Sequence, residues 1–192
     1  TLSLQEAREI GFPLFAKPLN AGGHLGVSED SIIQSAQDLP AVVKALQQEH
    51  HQPVLVEAYI DDDHMREFSV GIVGNDPYLF TPVEIDFDAM PVEENILSFD
   101  AAQKDLEVIQ PVQEEEMCAA LNALSLQTFN AVGAKDYSRI DLRMDQDDCY
   151  VLEINTMPGL GPHSFLPEAM RDQHGLDYPQ FIQKLVEVAI QG

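Results

Sequence analysis

Hydrophobic and polar residues alternate most strictly at 138–144 (SRIDLRM) and 150–155 (YVLEIN), on either side of an acidic turn at 145–148. A period of two puts successive side chains on opposite faces of a strand, so the two stretches predict a hairpin. Ile140, Leu142 and Met144 share one face, and Tyr150, Leu152 and Ile154 fit opposite them. The same register gathers Arg139 and Asp141 on the other face, beside Glu153 and Asn155. A slip of one residue would drive those polar groups into the core, so the pattern specifies the register.

Ser3 and Glu6 make a Ser-x-x-Glu capping box ahead of Ala7, Arg8 and Ile10, with Gly11 as a stop. They predict a short helix over residues 4–10. Residues 12–18 (FPLFAKP) read as a buried strand running into a glycine-rich turn at 20–26, with a return strand expected over 27–33. Asp38 is expected to cap a helix through about Gln47, with Pro40 in its first turn. Residues 53–60 (PVLVEAYI) read as a strand ending at three aspartates, 61–63. Two more strands, 67–73 and 78–85, flank the turn Gly74-Asn75-Asp76-Pro77. No period holds from 86 to 112, a length that usually belongs to a functional loop. A helix over about 113–132 presents Met117, Ala120, Leu121, Leu124, Thr128 and Phe129 on one face and stops at Gly133. A last helix starts at Asp177, with Pro179 in its first turn and Phe181, Leu185, Val188 and Ala189 on one side.

Hydrophobic residues make up 45% of the 192 positions, enough for one sizeable core or two small lobes. No apolar run is long enough to span a bilayer, and the first residues lack a signal peptide's pattern. Cys118 and Cys149 stand apart, which points to reduced thiols and a cytoplasmic protein. The formal net charge is −23, with ten Lys+Arg against 33 Asp+Glu. That balance excludes a general nucleic-acid footprint. An acidic chain still binds a nucleotide where its few cations converge and metal ions mask the phosphates.

The polar face of the predicted hairpin brings together two carboxylates and an amide oxygen, hard ligands suited to Mg²⁺ shared with phosphates. Arg139 beside them suits an oxyanion or a transferring phosphoryl group. A salt-bridged solvent face is the competing reading. The loop that leaves the patch, 155–164 (NTMPGLGPHS), is rich in turn formers and suited to presenting backbone N–H groups to a substrate. Lys17 at a strand end, followed by Gly22, Gly23 and Gly26, suits a phosphate-covering loop. A flexible hairpin explains the same glycines. The loop is neither a Walker A motif nor a Rossmann fingerprint, since no Gly-Lys-Ser/Thr opens a helix and the glycines join two strands. Residues 55–60 (LVEAYI) offer adenine an apolar cleft with backbone hydrogen bonds, or form an ordinary core strand.

Taken in order, these pieces resemble the ATP-grasp fold, and within it the D-alanine–D-alanine ligases. The matching stretches are GFPLFAKP, the glycine loop ending LGVS, VLVEAYI followed by REFSVGIVGN, VGAKDYSRIDLRM, and YVLEINTMPGLGPHSFLP. The resemblance implies an α+β architecture of two lobes with ATP between mostly antiparallel sheets. It implies an ADP-forming ligase of peptidoglycan precursor synthesis: ATP phosphorylates one D-alanine carboxylate, and the amine of a second attacks the acyl phosphate. Lys17 and the glycine loop (Gly22, Gly23, Gly26) would hold the ATP phosphates, Glu57, Ala58, Tyr59 and Ile60 the adenine, and Glu67 the ribose. Asp141, Glu153 and Asn155 would bind two Mg²⁺, with Mn²⁺ as a substitute. Arg139 and the Gly159 N–H would stabilise the oxyanion, and Ser164 would bind the second substrate's carboxylate. Residues 99–104 (FDAAQK) resemble the family's mobile loop, which makes Lys104 its phosphate- or substrate-binding lysine; a solvated loop lysine is the plainer reading.

The expected lobes are 1–60, with phosphate loop and hinge, and 61–192, with metal and catalytic site. The family's N-terminal domain is missing, so this chain alone is expected to bind nucleotide but turn over poorly or not at all. Two family features are replaced: a serine pair in the glycine loop by Gly23 and His24, and a tyrosine after the mobile-loop lysine by Asp105. These departures bear on the substrate pair and leave open another amino-acid or hydroxy-acid ligase. A non-catalytic nucleotide-binding module is the contrasting class. The expected partners are ATP and small amino acids, with neither nucleic acid nor membrane, and a homodimer is the family's assembly.

Overall fold

A computed structural model describes residues 3–92, 95–104, 106–146 and 148–191. The chain divides into two compact units, Thr1–Ile60 with Asp86–Val108, and Asp61–Ile85 with Ile109–Gly192.

The first unit begins with α1 (Leu4–Ile10), where the capping box forms as expected: Ser3 N–H donates to Glu6 Oε2 at 2.7 Å, and Glu6 N–H donates to Ser3 Oγ at 3.2 Å. β1 (Leu14–Pro18) is the centre of a three-stranded antiparallel sheet, flanked by β2 (Ile32–Ile33) and β3 (Val54–Ala58). α2 (Leu39–His50) packs on it, and Ala7, Leu14, Ala16, Ile33 and Leu39 form the buried core with Val42, Val43 and Leu46. The return strand expected over 27–33 survives only in β2. Ser28 N–H donates to Ser31 Oγ at 3.1 Å, and Glu29–Ser31 winds into a 3-10 turn instead. Asp38 does not cap α2 through its side chain, because its Oδ2 accepts from Ser35 Oγ at 2.6 Å.

Part of the aperiodic stretch, Asp86–Val108, groups with this unit. It contains a 3-10 turn, Phe87–Ala89, and α3 (Phe99–Gln103), each with its own cap: Asp86 accepts from Ala89 N–H, and Ser98 from Ala101 N–H. Phe99 N–H donates to Val27 O at 3.0 Å, which ties the segment to the end of the glycine loop. Elements this short hold too few turns to display a period.

The second unit is a five-stranded antiparallel sheet in the order β6-β5-β4-β7-β8, built from β4 (Arg66–Val73), β5 (Leu79–Ile85), β6 (Ile109–Pro111), β7 (Tyr137–Met144) and β8 (Cys149–Asn155). α4 (Glu115–Ala131) covers one face, with Leu121 and Phe129 against Phe68, Val70, Ile72, Ile140 and Leu142. Its buried positions include Ser125, while Ala120, expected inside, is exposed. α5 (Phe165–His174) and α6 (Tyr178–Gln191) cover one end of the opposite face, where Val73, Leu166, Met170, Phe181 and Val188 are buried together. Asp177 caps α6 as expected, accepting from Gln180 N–H at 2.9 Å, and Ala189 faces outward.

The β7–β8 hairpin keeps the expected register where polar groups meet: Arg139 opposes Asn155, Ile140 opposes Ile154, and Asp141 opposes Glu153. A bulge then follows, and Leu142, Arg143 and Met144 face Val151, Tyr150 and Cys149. Leu152 is the extra residue, so Cys149 rather than Tyr150 joins Met144 against the core. A bulge of this kind changes which face the following residues use. Cys118 and Cys149 are free thiols, and burial pushes both up from the usual thiol range. Among the described residues no helix is long and apolar enough to cross a membrane.

Gly71 lies where β4 meets α5, and a Cβ there would collide with Leu166 Cδ1 and Thr81 Oγ1. Gly71→Ala is expected to cost about 1–3 kcal/mol by overpacking. Gly22→Ala, whose Cβ would meet open space, should stay within about 0.5 kcal/mol of wild type. Urea unfolding of both variants checks the contrast.

Candidate functional site

The pairing of β4 with β7 places Glu67 opposite Arg143, Ser69 opposite Asp141, and Gly71 opposite Arg139. These rungs alternate with Phe68, Val70 and Ile72, which point to α4, so all six lie on the other face of the sheet. β8 adds Glu153 and Asn155 to the same face. The sheet therefore presents a line of charged and polar groups that ends where α5 begins.

Asp141 is the most heavily bonded member. Ser69 Oγ donates to its Oδ1 at 2.6 Å, and Arg139 forks both oxygens, Nε to Oδ1 and Nη2 to Oδ2, each at 2.8 Å. Asn155 Nδ2 donates to Asp141 Oδ2 at 2.9 Å and to Glu153 Oε1 at 2.8 Å. Asp141 is 8% exposed, and a carboxylate so buried is tolerable only when donors replace its hydration. Arg139 is itself held over the Phe165 ring, 5.6 Å from its centre. Cation–π contact and fork together fix the guanidinium plane.

Two carboxylates and one amide oxygen fit a hard divalent cation. Among the described residues no three His, Cys, Asp or Glu side chains gather closely enough to hold a metal. A cation here would need further oxygens from a ligand, which is how Mg²⁺ is usually held together with phosphates.

Glu67 does not stand alone on its strand. Arg143 Nε lies 3.2 Å from Glu67 Oε2, and the side chains are only 5% and 12% exposed. After β8, the loop runs through Gly159 and Gly161 to Ser164, the N-terminal residue preceding α5. A Cβ at Gly159 would lie 3.0 Å from Ser164 Oγ and one at Gly161 3.2 Å, so this hydroxyl rests over both glycines.

In the first unit Lys17 Nζ and Glu57 Oε1 form a 2.8 Å ion pair on one face of β1 and β3. Tyr59 stacks on Phe15 with ring centres 5.8 Å apart, and its N–H donates to Pro13 O at 3.1 Å. Its ring therefore belongs to the packing of the unit. Gly23 and Gly26 have φ of +63° and +79°, and His24 shares the left-handed region at +59°. At Gly26 a Cβ would lie 2.6 Å from Pro18 Cγ and 2.7 Å from His50 Nε2, so only glycine fits. The loop from Leu25 to Asp30 lines a cavity of about 440 Å³ with the end of α2 and the start of α3. Lys104 caps α3, and its Nζ lies 3.6 Å from Asp100 on an exposed surface. Asp105 lies outside the described residues.

Sequence reasoning missed Ser69, Arg143 and Phe165. Ser69 alternates with Phe68 and Val70, and Arg143 stands two residues from Asp141, so period two carried the signal for both. The start of α5 was marked by Ser164 followed by Leu166, Ala169 and Met170 at helical spacing, and its end by Gly175.

The family profile described as "D-ala D-ala ligase C-terminus" matches residues 1–187. The D-alanine–D-alanine ligase of Mycolicibacterium gilvum is 32% identical over 197 residues, covering 99% of this chain and 52% of that protein. A crystal structure of D-alanine–D-alanine ligase from Bacillus anthracis complexed with ATP superposes with a TM-score of 0.76 at 22% identity, over 100% of this chain and 57% of that one. The VanG D-Ala:D-Ser ligase of Enterococcus faecalis superposes at 0.70 with 22% identity, over 96% of this chain and 52% of that one. The chain spans about half the length of the curated relatives it matches. The structural likenesses establish the ATP-grasp α+β fold.

Ser69→Ala removes a hydrogen bond to a buried carboxylate and is expected to cost about 1.5–3 kcal/mol. Thr81 sits on the next strand, with a buried Oγ1 that has no hydrogen-bond partner among the described residues. Thr81→Val is therefore expected to be neutral or stabilising, and thermal unfolding of the two variants reads the difference.

Proposed function

The chain belongs to the D-alanine–D-alanine ligase C-terminal family, and from that premise we propose that it carries the ATP-handling part of an ATP-dependent carboxylate–amine ligase. D-alanine–D-alanine ligase, supplying the dipeptide of peptidoglycan precursors, is the activity proposed first. The observation that carries the reading is the Asp141 cluster. Asp141, Glu153 and Asn155 offer hard oxygens on one sheet face, and Arg139 is held among them by a fork and a ring.

In this reading Lys17 and the backbone around Gly22, Gly23 and Gly26 bind the ATP phosphates. Backbone from Glu57 to Ile60 receives the adenine, and Glu67 accepts from the ribose. Asp141, Glu153 and Asn155 would hold Mg²⁺, which would supply positive charge to neutralise the phosphates. Arg139, its guanidinium plane held by the fork and the ring, presents its remaining N–H groups to the developing negative charge, assisted by the Gly159 N–H. Ser164 holds the second substrate's carboxylate, and Lys104 reaches phosphate or substrate from α3. A homodimer is the proposed assembly.

A different second substrate is the alternative that one observation favours. The D-Ala:D-Ser ligase shares this fold, and His24 takes a left-handed conformation in the glycine loop at a position where the family resemblance implies a serine.

Calorimetric titration with ATP and Mg²⁺ tests the reading, with an Asp141→Asn, Glu153→Gln double variant alongside. These substitutions keep shape and remove both negative charges. The expected result is Mg²⁺-dependent ATP binding that weakens by at least about tenfold in the variant, the loss of one strong charged contact. Equal affinity in both proteins, or no binding by a folded wild type, would contradict the proposed site.

A further inference from the structure

Arg143 has no part in the reading above, yet it is 4% exposed. It opposes Glu67 across the β4–β7 ladder, with Nε 3.2 Å from Glu67 Oε2. The next rung on the same face is Ser69 with Asp141, and the one after is Gly71 with Arg139. The pair thus stands two residues along each strand from the phosphate-handling cluster, about 7 Å at ordinary strand rise.

A buried ion pair is weak evidence of a stabilising device. Removing two charges from water costs about as much as their attraction returns, and an apolar pair of similar volume often serves a sheet equally well. The neighbours sharpen the point, because Val83 beside Ser69 on β5 is apolar and 2% exposed. A charged pair beside so apolar a neighbour fits a role outside packing. Resting on the proposed role of Glu67 toward the ribose, we propose that Arg143 is a positioning residue for nucleotide recognition. Its guanidinium holds the Glu67 carboxylate turned to accept the ribose hydroxyls of ATP. A carboxylate offers about four lone-pair sites, so contact with Arg143 at Oε2 leaves acceptor capacity for hydroxyls. Arginine suits the task better than lysine because its planar donors set an orientation as well as a charge.

The role is read from the discrimination between ATP and 2′,3′-dideoxy-ATP, which lacks both hydroxyls. Calorimetry with Mg²⁺ on this chain gives dissociation constants for both nucleotides. Wild type is expected to prefer ATP by about tenfold or more, the range for hydrogen bonds to a charged group. Arg143→Met is expected to bring that ratio to within about twofold through weaker ATP binding, with dideoxy-ATP affinity little changed. Glu67→Gln should lower the ratio as well. Arg143→Lys, which keeps the charge if the methionine variant fails to fold, should give an intermediate ratio.

A merely structural ion pair would change unfolding without moving the ratio. A folded Arg143→Met or Arg143→Lys protein with the full wild-type ratio therefore overturns the positioning role. Equal binding of both nucleotides by wild type overturns it too, since Glu67 then makes no ribose contact. A folded wild type that binds neither nucleotide would undo the ATP-binding reading itself, a result distinct from either.

Discussion

The carboxylate of Asp141 sets the terms for the second unit. A negative charge 8% exposed must be met by donors, and three side chains from three neighbouring strands meet it: Ser69 from β4, Arg139 from its own β7, and Asn155 from β8. Each arrives only if the ladder holds its register, so the β4–β7 and β7–β8 pairings are tied to one electrostatic requirement. A slip of one residue on either strand would leave the carboxylate buried without compensation, a penalty of several kcal/mol. Register and site are thus specified by the same contact.

The division of the sheet follows. α4 buries one whole apolar row, while α5 and α6 take only the end of the opposite face near Val73. The remainder of that face can afford charge because its charges answer one another: Arg143 with Glu67, Arg139 with Asp141. A chain with ten cations against 33 acids places two of its arginines here. In so acidic a protein the field at this face depends on the local balance of charges rather than on net charge.

Much of this was legible in the sequence where a pattern spans several residues. The alternation at 138–144 gave the hairpin and the meeting of Arg139, Asp141, Glu153 and Asn155. The capping box gave α1 to the residue. The bulge at Leu152 was not legible, because either Tyr150 or Cys149 can fill an inward position and the choice depends on packing against α4. α3 and β6, of five and three residues, are shorter than any period that could reveal them. The side-chain cap expected at Asp38 failed because a nearer donor, Ser35, took the carboxylate. Glu67 was singled out by family resemblance, but its partner Arg143 required the ladder, since their contact spans two strands far apart in the chain.

The most direct measurement replaces Mg²⁺ with paramagnetic Mn²⁺ in the presence of ATP and follows the amide resonances of the isotope-labelled chain. If the Asp141 cluster holds the cation, signals from residues 139–143 and 153–155 broaden first, ahead of the acidic turns at 61–63 and 145–148. Broadening that begins at those acidic turns while the hairpin signals stay sharp would show that the cation sits elsewhere, and the account of the cluster as a metal and phosphate site would be wrong.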